Sequence, residues 1–311
     1  MSYASPHSWP ADFRVREAIG NGAVISLEDR YLYQKIEIEG VEYFHKKAQK
    51  AEVGELLDHD LAWVEYLNDL RKVYPELHVR PLEVYAYLPQ QAIITEFINA
   101  PFVAEVHEMS KLEDSLERYV DLLVAMDIFG ATWLPDVPIV PNSTTAIELD
   151  RKWGEWVSWG RLYEKGIVTP DEISKAHERV TSYHSIAESR MQHGDLGPWH
   201  IFDLNDEWVI FDAEHANDSL PRFYDLSWAY TRISTLGQDA VLARRLVEMF
   251  LDKTGIDPDS FFERFLPVVL SRSIGVLLDA ENDASHVNYR QSARDLFSRA
   301  LIAQNLPDLL G

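Results

Sequence analysis

His193-Gly194-Asp195-Leu196-Gly197-Pro198-Trp199-His200-Ile201-Phe202 is the stretch whose reading decides the fold. It sets a carboxylate, two imidazoles and two glycines in a turn-rich segment that leads into an apolar strand. A second apolar run, Trp208-Val209-Ile210-Phe211, ends in Asp212. Polar residues from Asp203 to Glu207 separate the two runs, which is the signature of a hairpin. With the turn centred near Asn205, pairing sets His200 roughly opposite Ile210. Asp212 then falls beside the loop that carries Asp195. Two carboxylates and an imidazole are therefore expected at one end of a hairpin, an arrangement suited to a base and a metal cage. Asp195, next to Gly194 in an accessible loop, is a candidate general base. Asp212 is a candidate ligand for a hard cation such as Mg²⁺. The plainer alternative is that both aspartates cap turns.

The 311 residues, 46% hydrophobic and 26% charged, suffice for one large domain or two lobes around an ample core. No apolar run reaches the roughly 18 residues of a membrane span. Met1 to Pro6 lack the basic-then-apolar pattern of a signal peptide. The absence of cysteine excludes disulfides, thiol nucleophiles and thiolate metal sites. A cytoplasmic protein with no membrane partner is expected. The net charge of −22 repels nucleic-acid phosphates, so no nucleic-acid partner is expected either. That acidity favours a cationic substrate or partner, or serves solubility alone. A nucleotide site in such a chain must carry its own cations.

Phe13 to Ser26, Tyr31 to Glu39 and Glu42 to Ala48 contain strand-like segments, with Gly40 as a hairpin turn between the last two. Glu55 to Val73 places Leu56, Leu57, Leu61, Val64, Leu67 and Leu70 at helical spacing. Leu82 to Leu88 and Ala92 to Ile98 read as strands around Pro89-Gln90-Gln91. Beyond Asn99 the pattern is mostly helical. Leu112 to Phe129 is amphipathic, and Trp133 to Leu149 is a proline-rich polar loop. Thr169-Pro170-Asp171-Glu172 is a helix start, with threonine as N-cap and proline in the first position. That helix is expected to run to about Met191. Further helices are expected over Gln238 to Thr254, Asp259 to Leu278 and Asn288 to Ala303. The boundary falls near Asn99-Ala100-Pro101, dividing residues 1–98 from 99–311.

The motif His193-Gly194-Asp195, the position five residues after that aspartate, and Asp212 after a hairpin together resemble the catalytic core of the aminoglycoside phosphotransferase and choline kinase family. The resemblance implies an α+β, two-lobed protein-kinase-like fold. Residues 1–98 would form a small antiparallel-sheet lobe with one helix that binds nucleotide. Residues 99–311 would form a larger, mainly helical lobe for catalysis and acceptor binding. It implies an ATP-dependent phosphotransferase, in which Asp195 orients or deprotonates the acceptor hydroxyl and Asp212 holds Mg²⁺ on the ATP phosphates. The family shows His-Gly-Asp-x-x-x-x-Asn, and His200 stands at the asparagine position. Asparagine offers an oxygen, whereas a neutral imidazole offers a nitrogen better suited to Mn²⁺, Fe²⁺ or Zn²⁺. His200 is then a nitrogen ligand to the metal, a cation on phosphate, the mark of a lost metal position, or a packed histidine.

Other segments resemble the same family. Tyr43-Phe44-His45-Lys46-Lys47-Ala48 is similar to the strand whose lysine pairs with ATP phosphates. Adjacent lysines on a strand face opposite ways; Lys46 is the better match, with Lys47 as the alternative. Asp60 corresponds to the family's helical acid partner, and Glu55 is its rival. Gly20-Asn21-Gly22, between two strand-like runs, stands where the family has its loop over the phosphates, although it also reads as an ordinary hairpin turn. Ile94-Thr95-Glu96-Phe97-Ile98 resembles the hinge that meets adenine through its backbone, which makes Glu96 and Ile98 nucleotide-binding positions. Tyr224-Asp225-Leu226-Ser227 resembles Tyr-Asp-Leu-Ala, and implies that Asp225 braces the catalytic loop. Glu214 is either within reach of metal and substrate or an exposed surface acid. Trp153, Trp156 and Trp159 form either an aromatic wall for a cationic or sugar substrate or a core stripe.

These segments cover almost the whole chain in family order. The acceptor is expected to be a small molecule, and the acidic balance leans toward an amino- or ammonium-bearing one. Two alternatives remain. His200 could mark a catalytically weak or inactive nucleotide-binding pseudokinase of the same fold. A metal-dependent hydrolase could be built on His193, Asp195, His200, Asp212 and His215.

Overall fold

Residues 13–96 of the computed structural model contain two α-helices and a five-stranded sheet. The structure describes residues 13–106, 108–133, 153–154, 162–186, 188–283 and 287–311. α1 (Phe13–Asn21) and β1 (Ala23–Leu27) lead into β2 (Tyr31–Ile38) and β3 (Val41–Ala48). Glu39 and Gly40 both take positive φ, 54° and 80°, in the β2–β3 turn. That twist suits a two-residue hairpin, and glycine adopts it at little steric cost.

α1 corrects the strand expected at the start of Phe13 to Ser26. Val15 and Ala18 sit three apart and bury one helical face against Ile36, Ile38, Ala86 and Ile94. The Gly20-Asn21-Gly22 segment consequently closes α1 and does not lie between two strands.

α2 (Ala51–Val73) follows, then β4 (Val79–Pro81), β5 (Val84–Leu88) and β6 (Ala92–Glu96). The main sheet runs β1-β2-β3-β6-β5 with antiparallel pairs throughout. Leu57 of α2 is fully buried with Tyr31 and Ile93. A Cβ on Gly54 would lie 2.1 Å from the Gln90 carbonyl oxygen, so glycine lets α2 approach the β5–β6 turn.

The chain then enters a mainly helical region. Helix Leu116–Phe129 is followed by helix Pro170–Thr181, whose Thr169 and Glu172 make a reciprocal capping box. This helix ends at Thr181, about ten residues earlier than expected. Beyond it β7 (Ser189–Gln192) pairs antiparallel with β10 (Asn217–Pro221). Between these strands lie β8 (Ile201–Asp203) and β9 (Trp208–Ile210). Helices Tyr224–Thr235, Ala240–Thr254, Pro258–Asn282, Val287–Ile302 and Leu306–Leu310 complete the chain. Residues 134–149 of the expected polar loop, with Trp156 and Trp159, lie outside the described residues.

Residues up to Pro101 cluster with His200–Ala216 as one compact unit, and Phe102–Trp199 with Asn217–Gly311 as another. The expected split placed residues 200–216 in the second lobe. They belong with the first because β9 pairs in parallel with β4, through Val79–Trp208 and Pro81–Ile210. In the second unit Phe223, Phe250, Phe261 and Phe265 pack ring to ring. Asp127 and Glu188 bind Arg222 at 2.7 and 3.1 Å, and Glu188 also holds Arg190 and Arg264, each at 3.0 Å. Among the described residues, no helix is long and apolar enough to cross a membrane.

Candidate functional site

Lys46 is the centre of charge in the first unit. β3 pairs Lys46 with Tyr33 on one side and Ile93 on the other, and leaves the residue buried. Lys47 is exposed. The Lys46 ammonium lies 3.0 Å from Asp60 Oδ2, 3.0 Å from Asp212 Oδ1 and 3.6 Å from Glu214 Oε2. Its fourth neighbour is the Tyr31 ring, 4.6 Å from Nζ to centroid. Burial alone would lower this lysine's pKa. The three carboxylates outweigh burial and hold it well above the ordinary lysine value.

α2 supplies Asp60, and the β8–β9 hairpin delivers Asp212 and Glu214. Asp60 is raised to about 6, chiefly by burial, with Lys46 pulling the other way. Asp212 takes a left-handed backbone, φ 61°. Such a conformation in a non-glycine residue is held by its surroundings, and strain of this kind concentrates at functional sites. Asp212 is 38% exposed along its side chain, whereas Glu214 is 5%. The buried Glu214 corrects the surface-acid alternative. Its Oε1 takes an ion pair from Arg30 at 2.8 Å, and its Oε2 accepts no hydrogen bond although fully enclosed. His215 Nε2 lies 3.5 Å from Glu214 Oε1.

The hairpin turns at Asn205, φ 69°, as the sequence suggested. Its register is one residue off the expected one, because Ile201 faces Ile210 and the Phe211 amide donates to the His200 carbonyl at 3.1 Å. The His200 ring stands edge-on to Phe211, with centroids 5.8 Å apart. Glu96 does not project to Lys46. Its carboxylate accepts from the Arg80 guanidinium and, at 2.7 Å, from the Glu83 amide, while Arg80 also binds Glu207 at 2.8 Å. Ile98 is half-buried in the extended segment after β6. Gly20 and Gly22 flank the end of α1, and a Cβ on Gly22 would come within 2.7 Å of Ile36. Gly20 stands in the last turn of α1 and Gly22 joins α1 to β1, so neither lies between two strands as expected.

The second unit carries Asp195. Its loop is pinned from three directions. Asp225, 1% exposed, accepts the His193 and Gly194 amides, each at 2.8 Å. Gln192 accepts the Asp225 amide at 2.8 Å, and Tyr119 donates its hydroxyl to the Leu196 carbonyl at 2.7 Å. Asp225 is raised to about 7, mainly by burial, against the opposing effect of those amides. It therefore braces the loop, as the resemblance implied. Gly194 has φ 84°, and Gly197 lies where a Cβ would meet Trp199 and Trp228 at 2.6–2.8 Å. The two indoles pack with centroids 5.2 Å apart. Asp195 itself is half-buried. Arg232 binds Tyr289 and Asp279 at 2.7 and 2.6 Å, and against the opposing effect of burial it is held above the ordinary arginine value by Tyr289 and Asp279 first and by Asp195 after them. Trp153 is buried, with its ring 5.5 Å from His177, so it reads as core.

The structure thus brings together Lys46, Asp60, Asp212 and Glu214 from the residues singled out in the sequence, and adds Arg30. No local signal marks Arg30 in the sequence, because its partner lies far along the chain. Among the described residues, no three His, Asp or Glu side chains form a ready metal cage. A hydrolase built on His193, Asp195, His200, Asp212 and His215 would require one. The oxygen donors Asp212 and Glu214, with one enclosed Glu214 oxygen lacking a hydrogen bond, fit Mg²⁺. That ion takes one or two carboxylates and completes its shell with water and phosphate oxygens.

No protein-family model matches the sequence, and no curated protein matches it. The fold has counterparts among solved structures. A choline/ethanolamine kinase family protein from Mesorhizobium loti aligns over 98% of this chain and 96% of its own, with TM-score 0.61 and 12% identity. Aminoglycoside 2'-phosphotransferase-IIIa, in a GDP complex, covers 96% of this chain and 99% of its own, with TM-score 0.57 and 12% identity. APH(2")-IIa, in a ternary complex with streptomycin and ATP, covers 97% and 100%, with TM-score 0.58 and 10% identity. The chain has the kinase-like fold that these structures share.

Proposed function

We propose that this chain is a small-molecule kinase that moves the γ-phosphoryl group of ATP to an acceptor hydroxyl. The observation that carries the proposal is the buried Lys46 held between Asp60 and Asp212. A lysine enclosed by three carboxylates is a strong ion-pair centre, and a structural role alone would not require a half-exposed, left-handed Asp212 beside it. The shared fold supports the reading, since one of its members holds ATP and others are choline/ethanolamine and aminoglycoside kinases.

In this proposal Lys46, positioned by Asp60, donates to phosphate oxygens of ATP. Asp212 and Glu214 hold Mg²⁺, with His200 as a further ligand that would favour Mn²⁺. Bound there, the metal supplies positive charge against the phosphate oxygens. Asp195 orients the acceptor hydroxyl and takes its proton, on a loop kept rigid by Asp225. Glu96 and Ile98 border the adenine position. The acidic chain favours an amino- or ammonium-bearing acceptor, and a cytoplasmic setting fits an ATP-consuming enzyme.

The test combines a thermal-shift panel of ATP, GTP, Mg²⁺ and Mn²⁺ with an acceptor screen of aminoglycosides, choline-like amines and sugars. Asp195→Asn should keep nucleotide binding and lower kcat by roughly 10²-fold or more. Unchanged turnover in that variant would remove Asp195 from its role. Absence of any nucleotide-dependent shift would remove the kinase reading altogether.

His200 favours one second reading, that of a nucleotide-binding protein with weak or no transfer. Its ring packs against Phe211 in place of an amide oxygen donor. ATP binding without turnover in the wild-type chain, restored by His200→Asn, would establish it.

A further inference from the structure

The β1–β2 turn, Glu28-Asp29-Arg30, contains no glycine. A turn beside a phosphate group can serve it through bare backbone amides, which glycine makes accessible. Here the turn is held at both ends by charge. Asp29 accepts from Lys50 at 2.7 Å, and the Arg30 guanidinium reaches Glu214 at 2.8 Å. The backbone is closed by Glu28 N–H to the Tyr31 carbonyl, 2.9 Å, and Gln49 N–H to the Arg30 carbonyl, 2.8 Å.

Arg30, from the β1–β2 turn, and Lys46, from β3, therefore converge on one buried carboxylate, Glu214. The cluster holds two cations, Arg30 and Lys46, against three carboxylates, Asp60, Asp212 and Glu214. Arg30 is unlike Lys46 in exposure. Its side chain is 46% exposed, while that of Lys46 is 5% exposed. A guanidinium carries five N–H donors in a fixed plane. The ion pair with Glu214 is made through Nη2. The half-exposed remainder of the fork is positioned to take a second, anionic partner in a bidentate fashion.

We propose that Arg30 is a phosphate-binding residue of the nucleotide site, replacing with a side-chain fork the backbone cradle that a glycine turn would supply. The inference rests on the kinase reading above and extends it. Glu214 pre-orients the guanidinium before nucleotide arrives, which lowers the ordering entropy of binding. Arg30 would thereby discriminate by the length of the phosphate chain, because only phosphate, and not the nucleoside, meets it.

The test is direct binding, measured by calorimetry on the full chain with ATP, ADP, AMP and adenosine, without acceptor. Wild type should bind ATP more tightly than adenosine. Arg30→Ala should weaken ATP binding roughly tenfold or more, the scale of a lost charged hydrogen bond, and leave adenosine binding unchanged. Arg30→Lys keeps the charge, loses the fork and should fall between. It also supplies the comparison if Arg30→Ala leaves Glu214 unpaired and the chain unfolds. Equal ATP affinity in wild type and Arg30→Lys together with Arg30→Ala overturns the inference while leaving the kinase reading standing. So does an equal loss for ATP and adenosine. A wild-type chain that binds no ATP overturns both.

Discussion

Replacing Lys46 by methionine tests whether its carboxylates depend on it. The ammonium is 3.0 Å from both Asp60 and Asp212. Each contact has a gross Coulomb energy of roughly 5 kcal/mol at an effective dielectric near 20. Desolvation offsets most of that, and removing one partner from a buried ion pair costs about 3–5 kcal/mol. Methionine preserves the stem's packing, so the loss is electrostatic. The unpaired Asp60 has one escape, which is to bind a proton. With Lys46 present, the folded-state pKa of Asp60 is already raised from 3.8 to about 6. Without the ammonium it rises further. A raised folded pKa means that stability is lost as pH climbs through it. In wild type that loss ends near pH 6; in Lys46→Met it continues above pH 6. The cost of the substitution should therefore be small at about pH 5.5 and grow above pH 6 by about 1.4 kcal/mol per pH unit. Urea unfolding followed by tryptophan fluorescence at about pH 5.5 and about pH 8 measures it. Lys46→Met with Asp60→Asn should show little of this pH dependence. A destabilisation equal at both pH values, or below about 1 kcal/mol at the higher one, would refute the argument.

Three further substitutions, at two positions, probe the loop that carries Asp195. Asp225→Ala leaves the buried His193 and Gly194 amides without acceptors and should cost about 2–4 kcal/mol in chemical denaturation. Burial lifts Asp225 from 3.8 to about 7, so its contribution to stability declines as pH rises from about 4 to about 7. Asp225→Asn should flatten the stability curve over that window, and parallel curves for variant and wild type would contradict this account. Gly197→Ala drives a methyl group to within 2.6–2.8 Å of Trp199 and Trp228. It should lower thermal stability by about 1–3 kcal/mol and slow turnover through displacement of the loop carrying Asp195; a fully active, equally stable variant would show that the indoles yield freely.

What the sequence discloses and what it hides divide by range of interaction. Gly40, the N-cap at Thr169 and the turn at Asn205 are set by neighbouring residues, and all three are legible. The Lys46–Asp60 pair is legible only through the family resemblance, although strand and helix follow one another closely. α1 is hidden although Val15 and Ala18 stand at helical spacing, since so short an apolar run fits a strand equally well. The end of helix Pro170–Thr181 is hidden because β7 forms only by pairing with β10 downstream. Parallel pairing of β4 with β9 joins segments more than a hundred residues apart. The same distance conceals the burial of Glu214, which is fixed by Arg30 and Lys46, and separations of 95 and 34 residues conceal the clamp of Asp127 and Glu188 on Arg222.

The return of residues 200–216 to the first unit bears on how the protein is made. A ribosome releases the first 101 residues long before Asp212 and Glu214, and Lys46 and Asp212 are 166 positions apart. N-terminal regions generally begin folding during synthesis. This one would do so with β4 lacking its parallel neighbour and Lys46 facing Asp60 alone. Its completion waits on translation of the hairpin, so the nascent first unit should stay protease-sensitive until about residue 216 has left the exit tunnel. For the same reason, a gene fragment ending at Pro101 encodes an unfinished sheet and not an independent nucleotide-binding module.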